Sequence, residues 1–189
     1  MLRLVSEFAP SNKGIERTAS GRLRKRGHGL PLMPNTLGGL GVTSMLFDER
    51  HWELQPAREL APFFVALPEL VGPTAVLCLA MGSWYGELMT FLDGNSVARP
   101  DSADVLRVRD RHLRCVQCDP TVLAELARLS DQYAEPEVAE HLNVTLDGLS
   151  VLEWFDMPGD PFSVSTAVPE PKVRAFAARL GVHNRMVGG

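Results

Sequence analysis

Two stretches of the sequence gather side chains that could do chemistry. The first is His112-Leu113-Arg114-Cys115-Val116-Gln117-Cys118. Two cysteines three residues apart, with a histidine just upstream, can hold Zn²⁺, because a tight turn brings both thiolates to ~2.3 Å from the metal. The same pair could cycle between dithiol and disulfide. Three points weigh against both chemistries. A structural zinc site needs four ligands, and the chain has three cysteines in all and no second pair. On a strand, Cys115 and Cys118 would point to opposite faces. A redox pair sits where a helix begins, and only Cys118 adjoins such a start, which Asp119 already caps. The expectation is therefore two ordinary, half-buried cysteines, with no metal and no cofactor. A small metal-dependent or thiol-using enzyme built on His112, Cys115 and Cys118 is the alternative.

The second stretch is Met81-Gly82-Ser83-Trp84-Tyr85-Gly86. A nucleophilic serine on a strand-to-helix turn follows the pattern Gly-x-Ser-x-Gly, whereas this run reads Gly-Ser-x-x-Gly. The phosphate-cradling pattern Gly-x-x-x-x-Gly-Lys is absent too. Ser83 is expected to cap the helix that follows. Neither His112 nor His141 has a reason in the sequence to meet Ser83, so no catalytic residue is assigned.

Binding needs less than catalysis. Arg107, Arg109 and Arg111 alternate, which on a strand puts them on one face. Such a row either protects an exposed sheet edge or docks on an acidic protein surface or a phosphate. The carboxylates Glu135, Glu137, Glu140, Asp147, Glu153, Asp156 and Asp160 read as a solvated acidic surface. With the aromatic pair Trp84 and Tyr85, the residues Arg107, Arg109, Arg111, Glu153 and Asp156 make the candidate partner-binding set.

The elements that would carry these groups follow from pattern. Val42–Phe47 is β-compatible, and His51–Leu54 answers it. Leu60, Phe63, Phe64 and Leu67 share a helical face, with Pro62 and Pro68 predicted to limit that helix to short pieces. Thr74–Met81 is nearly continuous apolar character, as in a strand buried on both faces. A helix with Leu88, Phe91 and Leu92 follows, then a β-like stretch, Val105–Gln117. Asp119-Pro120 starts another helix. Leu142–Leu146 and Leu149–Phe155 flank Asp147-Gly148, a hairpin turn. Phe162–Val168 adds a third strand, and Pro169–Leu180 a last helix ended by Gly181. The order β-α-β-α-βββ-α predicts an α+β fold. It is a single domain with a mixed or mostly antiparallel sheet, helices on one face and a three-stranded meander before the final helix.

Composition sets the frame. The chain has 189 residues, 45% hydrophobic and 22% charged, too short for an eightfold βα barrel of roughly 250 residues. Residues 1–30 hold seven Lys or Arg against two Glu, and the remainder 12 basic against 21 acidic. Residues 1–38 therefore read as a basic, Gly-rich, flexible arm, and 39–189 as the folded domain. An acidic domain argues against nucleic acid, except through the 1–30 arm. Phe63–Met81 is broken by Pro68, Glu69, Gly72 and Pro73 and is not expected to span a membrane. Met1–Pro10 has no long apolar run, and the odd cysteine count suits a reducing compartment, so a cytoplasmic setting is expected. The reading that needs least is a non-enzymatic, immunity- or adaptor-like module whose acidic surface docks on a partner protein in a bacterial-type cytosol.

Overall fold

Along the described residues the elements run β1 (His51–Leu54), α1 (Leu60–Val71), β2 (Val76–Ala80), α2 (Gly86–Gly94), β3 (Leu113–Gln117), α3 (Pro120–Ser130), the short α4 (Glu135–Val138), β4 (His141–Leu146), β5 (Leu149–Trp154), β6 (Phe162–Ser165), α5 (Glu170–Leu180) and β7 (Asn184–Val187). This is a computed structural model that describes residues 50–106 and 109–188. The expected arm, the run Val42–Phe47 and Arg107 lie outside the described residues.

The strands form one sheet in the order β3-β2-β4-β5-β6-β1-β7, every pair antiparallel. The meander β4-β5-β6 and the helix after it stand as the residue pattern predicts. Alternation sorts the side chains. Leu77, Leu79, Val116, Leu142, Val144, Leu152, Trp154, Phe162 and Val164 face a core completed by α1, α2, α3 and α5. The other face holds Cys78, Ala80, Leu113 and Cys115, covered by the 3₁₀ segment Asp101–Leu106 through Ala103, Val105 and Leu106. The fold is α+β, with the α-helices on one face of the sheet.

Local chemistry explains most boundaries. Asp119 Oδ1 accepts from Thr121 N (2.8 Å) and Val122 N (3.2 Å) and starts α3. Asp147 and Gly148 take φ of 51° and 80° in the β4–β5 turn, and Gly181 ends α5 in the left-handed region.

Four expectations change. The prolines do not divide α1, which runs twelve residues. Pro62 falls in the first turn, where N–H groups have no helical acceptor anyway, and only Pro68 is interior. The strand expected over Val105–Gln117 shrinks to Leu113–Gln117, because β2 offers five residues to pair with. Ser83 is not a cap: α2 begins at Gly86, with Tyr85 in the capping position and no side-chain bond. Finally β7, which pairs with β1, was not anticipated, since Asn184–Val187 is half-exposed and lacks a clear alternation.

Phe63 marks the centre of the core. It is fully buried, and its ring centroid lies 5.2 Å from that of Trp154, 5.7 Å from Phe162 and 5.7 Å from Phe176. Phe63→Ala should lower unfolding free energy by about 3–5 kcal/mol. Val65→Ala on the exposed side of α1 should cost no more than about 0.5 kcal/mol. Urea titration followed by far-UV circular dichroism compares the two.

Candidate functional site

The cysteines are arranged differently from either reading of the Cys115–Cys118 pair. Cys78 on β2 lies directly opposite Cys115 on β3. Their Cα atoms are 4.0 Å apart, and the sulfurs form a disulfide. Cys118 is the remaining free thiol. It is fully buried in the core on the helical side of the sheet, and burial pushes its pKa up to about 12. The set His112, Cys115 and Cys118 is thus overturned as a metal or redox site. Cys115 is committed to Cys78, and Cys118 is on the other side of the sheet. Among the described residues no group of three His, Cys, Asp or Glu could hold a metal ion.

A cleft forms where β2 ends. Met81 takes φ of 63°, a costly conformation for a residue with a side chain, and turns the chain off the sheet toward α2. Its N–H donates to His112 O at 2.9 Å, tying the turn to the start of β3. Gly82 must be glycine here: a Cβ would lie 2.1 Å from the Trp84 indole nitrogen and 2.6 Å from Val138 O. That nitrogen donates to Val138 O at 2.7 Å and anchors the ring. Over the ring stands Arg114, its guanidinium carbon 5.4 Å from the centroid, a cation–π arrangement. Arg114 Nε donates to Asp93 Oδ1 at 2.7 Å, and Nη1 donates to Leu113 O at 3.0 Å. The cleft has a volume of about 600 Å³ and is lined by Met81, Gly82, Ser83, Trp84, Met89, Arg111, His112 and Arg114.

The sequence-derived residues divide. Trp84, Arg111, His112 and Ser83 meet in this cleft. Arg109 is exposed just before the turn Asp110–His112. Arg109 and Arg111 therefore do not alternate on a strand, and the expected arginine face is corrected to a turn. Tyr85 does not line the cleft. Its hydroxyl donates to Glu137 Oε1 at 2.9 Å, a bond that raises the phenol pKa, and its ring meets Tyr133 edge-on. Glu153 leaves the partner-binding set altogether, because it is 1% exposed and accepts from Ser150 Oγ at 2.9 Å. Asp156 is exposed at φ 52° and donates its backbone N–H to His141 Nδ1 at 3.1 Å, but it does not line the cleft. Among the described residues no hydrogen bond joins Ser83 to an imidazole.

Met81 and Met89 were not read as site residues. Both are large exposed apolar side chains, 42% and 43% accessible. They belong to different elements, so spacing alone could not pair them. Comparison with protein-family models, curated proteins and solved structures finds no match to this chain. No described helix is long and apolar enough to cross a membrane.

The cysteine assignment has a direct check. Alkylation of native protein at pH 8 should leave Cys118 unlabelled, since pH 8 lies far below a thiol pKa of about 12. Alkylation after denaturation without reductant should add one label, and after reduction three. Intact-mass spectrometry reads the increments, and three labels without reduction would contradict the arrangement.

Proposed function

We propose that this protein is a non-enzymatic binding module, adaptor- or immunity-like, that docks on another protein through the cleft between β2 and α2. One observation carries the reading: Arg111, His112, Arg114, Trp84, Met81 and Met89 converge on one open surface. That surface belongs to the part of the chain otherwise rich in carboxylates, residues 39–189 holding 12 basic and 21 acidic side chains. A local cationic spot with exposed aromatic and methionine side chains has the composition of an interface centre, where Arg, Trp and Met are enriched. The acidic remainder repels other carboxylates, so an acidic group of a partner finds its complement at this cationic spot and not on the surface around it. Strain at Met81 is consistent with a site held in place by its surroundings. The enzyme alternative loses its thiols to the Cys78–Cys115 bond and to the core. The cytoplasmic setting expected from three cysteines is weakened by the same bond, because structural disulfides persist mainly in oxidising surroundings.

The test is retention of a partner by immobilised full-length protein in extract of the source cells, read by quantitative mass spectrometry. Trp84→Ala should cut retention of the specific partner by at least about 10-fold, as expected for a central aromatic anchor. Leu149→Ala, at an exposed turn, should leave it unchanged. Equal retention by wild type and Trp84→Ala would sink the reading.

A further inference from the structure

We infer that the cleft receives an extended peptide segment of the partner in which a carboxylate side chain lies beside an apolar one. The inference rests on the docking reading above and adds the chemistry of what is docked.

Among the described residues Arg50, Arg58 and Arg109 are exposed without an ion-pair partner as well, so what sets Arg111 apart is its place beside the apolar walls of the cleft, while other surface arginines are already paired. Arg128 is clamped by Glu125 and Glu87, Arg174 by Glu170, Arg179 by Glu69 and Arg185 by Glu53. Arg111 and His112 are exposed on the cleft lip, and among the described residues neither side chain has a hydrogen-bond or ion-pair partner. Arg114 is already engaged by Asp93 and stacked on Trp84, so it shapes the cleft while Arg111 does the recognising. A guanidinium with open donors takes a carboxylate through two parallel hydrogen bonds.

The walls narrow the anion further. Met81 and Met89 present flexible apolar side chains beside those cations, and methionine adapts to irregular apolar partners. A hydrated inorganic ion would gain nothing from them, whereas an acidic residue next to Leu or Phe would use both features. The cleft is also open. A small acid would stay largely in water there, while small-ligand sites bury 70–90% of their ligand. A chain that continues over the rim toward exposed Tyr85 covers the surface that a small acid cannot.

Tryptophan emission reports binding, because Trp52 and Trp154 are buried in the core and Trp84 lines the cleft. The full chain is titrated with short, Trp-free synthetic peptides that alternate Asp with Leu, Asn with Leu, or Asp with Ser, and separately with free octanoate. The Asp–Leu peptide should saturate the signal with a dissociation constant about 10-fold below those of the other three, the scale of one charge-assisted hydrogen-bonded pair. Arg111→Ala should weaken it about 10-fold with an unchanged thermal midpoint. Equal binding by the Asn–Leu peptide or by octanoate, or no effect of Arg111→Ala, overturns the inference. If no peptide binds while Trp84→Ala still abolishes partner retention, the peptide assignment falls and the docking reading stands. If Trp84→Ala also leaves retention unchanged, both fall.

Discussion

The register of β2 between β3 and β4 is the constraint on which the rest depends. Its five residues pair on both sides, Val76–Ala80 against Leu113–Gln117 and against His141–Thr145. Because side chains alternate with a period of two, a slip of one residue would carry Leu77 and Leu79 out of the helical core and put Cys78 and Ala80 into it. The two faces of the sheet are too different to exchange. One is packed by the α-helices. The other carries a polar row, where Cys115, Cys78, Asn143, Glu153, Ser163, Glu53 and Arg185 are successive cross-strand partners through all seven strands.

That row explains a group of polar side chains with no place in an apolar core. Asn143 Nδ2 donates to Ser150 Oγ at 2.6 Å, Ser150 Oγ donates to Glu153 Oε1 at 2.9 Å, and Thr145 Oγ1 donates to Asn143 Oδ1 at 3.1 Å. Ser102 of the 3₁₀ segment reaches Thr145 Oγ1 at 2.8 Å and ties the cover to the sheet. Buried polar groups linked in this way specify one arrangement, since a shifted strand would leave them unsatisfied. The Cys78–Cys115 bond sits at the end of the same row and joins the edge strand β3 to β2.

The same register builds the cleft. With Ala80 opposite Leu113, Met81 falls opposite His112, and its N–H finds the His112 carbonyl. The turn at Met81 then carries Trp84 beneath Arg114, the β3 residue opposite Leu79. Arg111 and His112, just before β3, are left on the rim. The surface proposed to bind is thus a by-product of where β2 stops, and its charge contrasts with the acidic domain around it.

Short-range chemistry was legible in the sequence. Asp119-Pro120, Asp147-Gly148 and Gly181 act through backbone atoms within a few residues, so their types alone determine the α3 start, the β4–β5 turn and the α5 end. Alternation and helical spacing likewise made the α+β class and the meander readable, and Trp84 and Arg111 could be chosen by residue type. Which strands are neighbours, and in what register, depends on packing between distant segments. Only the tertiary structure could therefore bond Cys78 to Cys115, 37 residues apart, or send Glu153 inward and Cys118 into the helical core. The meeting of Met81, Met89 and Arg114 at one cleft was decided at that level too, because it follows from strand order and from where each strand ends.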